Sequence, residues 1–286
     1  TALKWLLVVC FGYLGYKNAR FGKVESHERV TAISRELLLQ AKELAEAQGF
    51  TVLHMYVDSL FVHREGGVCC EDVLPLLDTI QAQTGIGVAL EGIYRWLVFL
   101  PSRGNGTSPV PNRYFGVFED GTLKVRGIAL RRHDTCAFAA QVQWGILHIL
   151  AQADDPRERV AEARAFVRGE IRRLSRGEVA PAALEMAVKL SRPLENFRKP
   201  SPAAQAARLL AERGMAVQAG MRLHFWFTRQ GISVEMPAFE KLDLPRYAHL
   251  VQQTADEILQ PLESPPPVPF QPRLLPVPLA EWTVRA

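Results

Sequence analysis

The chain has 286 residues, of which 48% are hydrophobic and 22% carry a charge. Such a composition supports one large hydrophobic core or two smaller ones, and it excludes a disordered chain. The 34 Lys and Arg residues against 30 Asp and Glu residues give a net charge of +4, which is compatible with a polyanionic partner but does not require one.

Neither the cysteines nor the apolar N-terminus indicates a membrane, secreted or metal-binding protein. The four cysteines (Cys10, Cys69, Cys70 and Cys136) show no metal-binding spacing, which is typical of reduced thiols in an intracellular protein. The segment TALKWLLVVCFGYLGY is short for a membrane span and contains Lys4, so we predict neither a membrane segment nor a signal peptide. Because the chain lacks an initiator Met, we expect it to begin within a domain.

The first half of the chain alternates predicted helices with predicted antiparallel strands. A helix is predicted between Ser26, as its N-cap, and Gly49, as its C-terminal stop, because apolar residues recur there at helical spacing. The following predicted elements are, in chain order, a β-hairpin over 50–62, a helix over 71–84, a strand over 95–100, and a second hairpin that joins 114–118 to 122–126 through Asp120-Gly121. This alternation predicts an α+β fold.

After residue 134 helical patterns dominate, and we place a domain boundary there. The predicted elements are helices over 135–150, 157–174 and 182–190, a helix capped by Ser201 and ended by Gly214, strands over 222–227 and 232–235, and a helix over 245–262. In RERVAEARAFVRGE, Arg and Glu alternate, which predicts local ion pairs on a solvated helix face. The Pro-rich segment SPPPVPFQPRLLPVP is expected to be an extended strap or a disordered tail, with a ligand for a partner as the alternative.

One carboxylate stands at the tip of the first predicted hairpin, in VLHMYVDSLFV. Asp58 is followed by Ser59, and this pair is typical of a turn, because both side chains hydrogen-bond the turn backbone. A hard divalent cation such as Mg²⁺ also takes carboxylate oxygens, so Asp58 is a candidate metal ligand as well. The residue types alone leave both interpretations open.

The hairpin and the segment before it resemble motifs of the family-B DNA polymerases. Lys4–Gly12 resembles the fingers-helix motif Lys-x-x-x-Asn-Ser-x-Tyr-Gly, with Val8-Val9 in place of Asn-Ser and Phe11 in place of Tyr. VLHMYVDSLFV resembles a segment like V-x-Y-G-D-T-D-S-L-F-V of the catalytic hairpin. Asp58 and the four residues after it match, whereas Tyr56 stands where the first Asp belongs.

Three later segments resemble the same family and occur in the same order. Asn112–Gly116 resembles the Lys-x-Tyr element of the palm that holds the primer terminus. Lys124–Asp134, KVRGIALRRHD, resembles the signature KVRGxExxRRD at the passage from palm to thumb. Leu190–Leu194, followed by Ser201-Pro202, is similar to a thumb segment of the form LSKPL…SP.

The resemblance implies an α+β polymerase palm, an antiparallel sheet with packed helices, followed by a mostly helical thumb. Residues 1–22 would be the end of the fingers helix and the entry to the palm, 23–133 the palm, 134–262 the thumb, and 263–286 a Pro-rich tail. The apolar N-terminal run would then be a buried helix between fingers and palm.

The resemblance also implies a set of functional residues. Asp58 would be the catalytic, metal-ligating residue for Mg²⁺ in a two-metal nucleotidyl transfer, and Lys4 and Phe11 would contact the incoming dNTP. The expected contacts to primer-template DNA are Arg113, Tyr114, Lys124, Arg126, Arg131 and Arg132. Lys and Arg at these positions would neutralise phosphate charge.

The departures from the family pattern predict weakened or lost polymerisation. Tyr56 cannot chelate Mg²⁺ as a carboxylate does, and the Asp motif that the family carries upstream of the fingers is not in this chain. A polymerase lineage, a non-catalytic DNA-binding or scaffolding paralogue, and a protein-interaction module therefore remain as alternatives.

Overall fold

The computed structural model describes residues 2–102, 109–198 and 200–263. These residues form seven α-helices and eight β-strands. The helices are α1 (Ala2–Leu14), α2 (Val24–Ala47), α3 (Cys70–Thr84), α4 (Ala137–Leu150), α5 (Val160–Ser175), α6 (Pro202–Glu212) and α7 (Leu244–Glu263). The strands are β1 (Thr51–Tyr56), β2 (Ser59–His63), β3 (Tyr94–Pro101), β4 (Pro109–Phe118), β5 (Leu123–Arg126), β6 (Met186–Lys189), β7 (Arg222–Thr228) and β8 (Gly231–Ser233).

The strands form three antiparallel sheets among the described residues. β1 pairs with β2, β4 lies between β3 and β5, and β7 lies between β6 and β8. Antiparallel strands with helices packed against them confirm the predicted α+β class. None of the helices that the structure describes combines the length and the apolar composition that a bilayer crossing requires.

The N-terminal helix forms as expected, but its predicted burial is wrong. None of the residues of α1 is buried, and Trp5 remains 65% exposed. The helix packs mainly against α2, where the Phe11 ring stacks on the His27 imidazole at 4.3 Å. Because α1 is apolar on every side, a single neighbouring helix leaves most of its surface uncovered.

Helix α2 starts about one turn earlier than the predicted cap. The helix begins at Val24, its N-cap residue is Lys23, and no side chain caps it, so the prediction of Ser26 as the cap is wrong. At the other end Gly49 adopts a φ of 82°, as expected of a helix stop. The early start places Glu25 in the first turn, where its negative charge is favourable to the helix dipole.

The small core, which consists of Ala41, Ala45, Phe50, Leu76 and Ile80, joins α2, α3 and the β1–β2 hairpin. Helix α3 begins with a capping box in which Asp72 accepts hydrogen bonds from the backbone N–H and the thiol of Cys69, at 2.9 and 3.0 Å. Asp72 also pairs with Arg64 at 2.7 Å. The hydrogen bond from the Cys69 N–H, with the other two contacts, lowers the pKa of Asp72.

The large core runs from Trp96 to Leu262 and includes residues of β3–β5, α4, α5, α7 and β6–β8. Helix α4 contributes one apolar face at helical spacing, with Phe138, Val142, Ile146 and Leu150 buried. This core is continuous on both sides of residue 134. The division into palm and thumb at that residue stays a prediction.

Two later segments differ from the sequence expectations. The helix predicted over 182–190 is wrong, because residues 181–184 form a short 3₁₀ turn and β6 follows it. β6 pairs with β7, so hydrogen bonds to a distant strand override a short helical pattern. The Pro-rich tail lies outside the described residues.

Candidate functional site

The hairpin that carries Asp58 turns through two residues, Val57 and Asp58. Tyr56 pairs with Ser59, and the Asp58 N–H donates to the Tyr56 carbonyl at 2.7 Å. Val57 has a φ of 57°, which is rare and strained for a β-branched residue. The Asp58 carboxylate is exposed and accepts a 3.4 Å hydrogen bond from the Ser59 hydroxyl. The turn therefore presents one carboxylate to solvent.

An aromatic seam holds this hairpin against the β3–β5 sheet. The ring of Phe61 meets Phe99 at 5.2 Å and Tyr114 at 5.5 Å, in both cases edge to face. The His54 imidazole lies 4.3 Å from Phe99, and burial lowers the pKa of His54. Edge-to-face pairs of this kind contribute ~0.5–1.5 kcal/mol each beyond the apolar area they bury. The seam therefore orients the hairpin tip relative to the sheet.

Arg126 links the hairpin tip to the basic segment, residues 124–132, which contains Lys124, Arg126, Arg131 and Arg132. Tyr114 of β4 pairs with both Phe99 and Arg126, so these three side chains lie on the sheet face that meets the hairpin. From this position the Arg126 guanidinium lies 5.4 Å from the centre of the Tyr56 ring. A cation at this distance is attracted by the negative face of the ring. The structure thus brings together Tyr56, Arg126 and the turn that contains Asp58.

The two expected DNA contacts on β4 lie in the protein interior. Tyr114 is only 2% exposed and lies under the rings of Phe61 and Phe99. The Arg113 side chain is 13% exposed, and its guanidinium donates to Glu257 at 2.6 Å and to the carbonyls of Pro101 and Gly127. Both side chains therefore serve internal packing in this structure, because their polar atoms face the core rather than solvent.

Glu257 and Gln143 form a buried polar network that binds the backbone of the turn at 129–131, within the basic segment. Glu257 accepts from the N–H of Ala129 at 2.8 Å and from Gln143 at 3.2 Å, in addition to Arg113. Gln143, which is fully buried, accepts from the N–H of Leu130 at 2.6 Å and donates to the carbonyl of Thr254 at 2.8 Å. Side chains from α4 and α7 thus satisfy two backbone N–H groups of the turn at 129–131.

Sequence reasoning did not find this network. Its signal was a glutamine on the apolar face of α4 and a glutamate on the apolar side of α7. A polar residue on a buried helix face needs a partner, and that requirement points to a network without naming its members.

Gly127 is required where β5 leaves the sheet. Its φ is 66°, and a Cβ atom at this position would lie 2.3 Å from the carbonyl oxygen of Asn112. Only glycine fits both conditions. Because the backbone at Gly127 lies close to the backbone of β4, the Gly127 carbonyl accepts a hydrogen bond from Arg113 at 3.3 Å.

The remaining expected DNA contacts lie at the surface. Lys124 forms an ion pair with Glu91, Arg132 pairs with Asp134 at 3.2 Å, and Arg131 is exposed. Exposed ion pairs of this kind contribute at most about 1 kcal/mol to stability. Lys4 and Phe11 lie on α1, on the side of the molecule where α2 packs.

Among the residues that the structure describes, Asp58 belongs to no cluster of three or more metal-ligating side chains. In 2–102, 109–198 and 200–263 there is no group of three or more His, Cys, Asp or Glu residues that could hold a metal ion. Mg²⁺ is typically held by one or two carboxylates together with water and substrate phosphates. The donors of this part of the chain, one carboxylate and the neighbouring Ser59 hydroxyl, do not form a two-metal site by themselves.

Two arginines in or beside α5 form local pairs, as the alternation of Arg and Glu predicts, whereas Arg164 pairs instead with Asp256 and Glu263 of α7. Arg159 pairs with Glu162 at 2.8 Å and Arg173 pairs with Glu170 at 2.9 Å. Both pairs are local and partly exposed. They account for these side chains without a nucleic acid.

Comparisons with known proteins point to one family. The family model described as DNA polymerase family B matches residues 111–258. The chain is 39% identical over 127 residues to DNA polymerase 2 of Saccharolobus solfataricus, a match that covers 44% of this chain and 19% of the relative. It is 28% identical over 228 residues to DNA polymerase 2 of Aeropyrum pernix, which covers 80% of this chain and 26% of the relative.

A solved structure agrees with the sequence matches. The family B DNA polymerase of Pyrobaculum calidifontis superposes with a TM-score of 0.60 and 26% identity, over 90% of this chain and 33% of that one. This chain therefore spans a third or less of the length of each of these three relatives.

Proposed function

This chain belongs to DNA polymerase family B, and on that premise we propose that it forms the palm and thumb part of a DNA-directed polymerase and binds primer-template DNA. The polymerase function is supported at the level of the family. DNA binding, the residues that mediate it and the state of the catalytic site are our proposals for this chain.

The observation that carries the proposal is the position of Arg126 beside the turn of Asp58. The guanidinium, 5.4 Å from the Tyr56 ring, is exposed, and β5 continues into the exposed Arg131 and Arg132. A row of cationic side chains next to the hairpin suits a phosphate backbone, because each Lys or Arg that neutralises a phosphate releases bound counterions. Lys124 extends this row along β5.

The proposed contact set is narrower than the sequence predicts. We propose Lys124, Arg126, Arg131 and Arg132 as the DNA-binding residues, since the side chains of Arg113 and Tyr114 face the core. Lys4 and Phe11 stay predicted contacts to the dNTP.

Asp58 is proposed as one metal ligand of the family's two-metal site. Family-B DNA polymerases generally depend on divalent metal ions, which neutralise the charge of the reacting phosphates. Because the described residues supply one carboxylate at the hairpin, the other ligands would have to come from outside them. We therefore assign no catalytic step to the described residues alone.

One observation favours a second candidate, a non-catalytic DNA-binding paralogue. Tyr56 replaces a carboxylate, and it holds the positive charge of Arg126 near the turn where cations would collect. Two like charges repel, so a guanidinium at this place opposes the binding of a divalent cation. A phosphate, by contrast, is attracted there.

DNA binding is tested by fluorescence anisotropy with a labelled primer-template at increasing salt. We expect Arg126→Ala and Arg131→Ala each to reduce the slope of log affinity against log salt by about 0.9, the value for one lost phosphate contact on duplex DNA. Arg213→Ala is the matched control, because Arg213 forms an exposed pair with Glu235 in another part of the chain. No binding by the wild type even at low salt would refute the proposal and support a protein-interaction module.

Catalysis is tested by primer extension with Mg²⁺ or Mn²⁺ in the complete protein that contains this chain. Extension by the wild type that Asp58→Ala abolishes would support the enzyme. No extension by the wild type, with activity gained in the Tyr56→Asp/Arg126→Ala double variant, would support the non-catalytic paralogue. The double variant is needed because Arg126 would pair with a new carboxylate at position 56.

A further inference from the structure

A cleft of about 470 Å³ lies between the edge strand β5, the turn at 129–131 and helix α4. It is lined by Leu123, Lys124, Val125, Leu130, Arg131 and Trp144. Four of these residues are apolar or aromatic, and the other two, Lys124 and Arg131, are cations. β5 is the outer strand of its sheet, so one side of the cleft borders a free strand edge.

Trp144 does not belong to the core that α4 helps to form. The buried face of the helix includes Val142, Ile146 and Leu147, whereas Trp144 faces away from them and is 40% exposed. On that outer face its indole meets the His148 imidazole, with the ring centres 4.9 Å apart and the planes at 88°. The half-exposed indole ring therefore lies at the cleft, where it is accessible to a ligand that stacks on it.

The charges around Trp144 favour an anion. Among the described residues no ion pair involves Arg131, whose side chain is exposed. Lys124 pairs with Glu91, but both side chains are partly exposed, with 36% and 58% of their surfaces accessible. Such a pair is weak, so Lys124 can bind a phosphate instead.

We propose that this cleft binds single-stranded nucleic acid, with an unpaired base stacked on Trp144 and the flanking phosphates on Arg131 and Lys124. The proposal rests on the function proposed above and adds a subsite to it. An aromatic platform flanked by cations is the arrangement by which proteins bind single strands without sequence preference. A strand is favoured over an acidic peptide because the cleft continues the row of Arg126 and Arg132 along the same segment.

The test compares two labelled probes by fluorescence anisotropy: an oligothymidine of about 16 nucleotides, within the size range of single-strand sites, and a duplex of equal length. We expect Trp144→Ala to weaken oligothymidine binding about tenfold or more, the loss that follows when one stacked base is removed. Trp144→Phe should retain most of the affinity, and duplex binding should change by less than about twofold, since a duplex exposes no base for stacking. Trp5→Ala, which removes another exposed tryptophan, is the control.

A second variant tests the charge. Arg131→Ala should lower the salt slope of oligothymidine binding by about 0.7, the value for one phosphate contact on a single strand. Circular dichroism confirms that each variant remains folded.

Three outcomes would overturn the inference. Trp144→Ala could bind oligothymidine as tightly as the wild type, it could weaken duplex and single strand equally, or the cleft could bind an acidic aromatic peptide and no oligothymidine. A failure of the proposed function gives a different result, because the wild-type protein would then bind neither the duplex nor the oligothymidine.

Discussion

The two hydrophobic cores of this chain differ in size and in what closes them. The small core has five buried residues, which come from α2, α3 and the segment between α2 and β1. The large core gathers residues from β3 to α7 and contains the Glu257 network. We call residues 2–84, which surround the small core, the small region, and residues 94–263 the large region. The hairpin with Asp58 belongs to the small region but contacts the large one through Phe61, Phe99 and Tyr114.

The candidate site therefore lies where a region with a small hydrophobic core meets a region with a large one. Asp58 lies in the hairpin that packs on the small core, whereas Arg126, Arg131 and Arg132 lie in or just after β5, which packs on the large core. Stability differs among parts of a structure, and regions with few buried contacts open first. We therefore expect the hairpin to lose its position at the sheet before the basic segment unfolds.

The largest expected effect is on the large region, from Glu257→Ala. This change leaves Arg113, only 13% exposed, without its carboxylate, and it leaves the Ala129 N–H unsatisfied. Breaking a buried pair in this way costs about 3–5 kcal/mol of unfolding free energy. Urea denaturation measures the loss. Glu235→Ala is the control, because Arg213 and Glu235 are 46% and 75% exposed and their pair contributes at most about 1 kcal/mol.

The next largest effect is expected from truncating one buried leucine in each core, which tests whether the two cores unfold independently. Leu147→Ala in the large core should lower the free energy of the main unfolding transition by ~2–5 kcal/mol, since the side chain is fully buried. Leu76→Ala in the small core should increase amide exchange in α2, α3 and the hairpin and leave α4 and α7 protected. Leu74→Ala is its control on the same helix, because Leu74 is 54% exposed. Equal loss of protection in both regions would show that the cores unfold as one unit.

Alkaline pH should act on the large region. Burial raises the pKa of Tyr247 and of Tyr94 above the ordinary value of about 10. Their contribution to stability is complete below pH ~10 and is lost as the pH rises above it, because the unfolded chain releases these protons first. Tyr94→Phe removes one titrating group, so the decline of melting temperature above pH ~10 should become shallower. An unchanged decline would contradict this account.

Acidic pH should act on the small region, with the smallest effect. The pKa of Asp72 is lowered, first by the hydrogen bond from the Cys69 N–H, so its contribution is present above pH ~4 and is lost as the pH falls. Amide chemical shifts at the start of α3 should therefore change at low pH while those of α4 stay constant. Asp72→Asn should abolish the α3 transition, and its persistence in that variant would assign it to another group.

Local patterns in the sequence predicted most elements of this fold correctly. The hairpin around Asp58, helix α3, the β4–β5 hairpin and the helices α4, α5, α6 and α7 all appear within a few residues of their expected positions. The pattern failed at 182–190, where pairing with β7 decided the structure, and the resemblance failed at α1, which it implied to be buried. For β6, the deciding contacts come from β7, which is distant in the chain. For α1, too few contacts with other described residues form to bury the helix.

For the candidate site, residue type identified candidate residues but did not predict which of their side chains are exposed. The resemblance implied that Asp58 is a metal ligand and that Arg113, Tyr114 and Arg126 are among six contacts to DNA. The fold turns Arg113 toward Glu257 and buries Tyr114 under Phe61, whereas it leaves Arg126 at the surface beside Tyr56. Neighbours in one strand face opposite sides of a sheet, so only the packing on each side distinguishes them.

By itself, the sequence determined the α+β class, the order of the elements and the hairpin turn at Asp58, because these depend on local periodicity and turn chemistry. The tertiary structure alone decided which cations remain free for a phosphate, which carboxylate supports the turn at 129–131, and that Trp144 faces a cleft. Each of these depends on partners more than ten residues away in the chain. Contacts between distant residues form only when the whole chain packs, and a local pattern does not encode them.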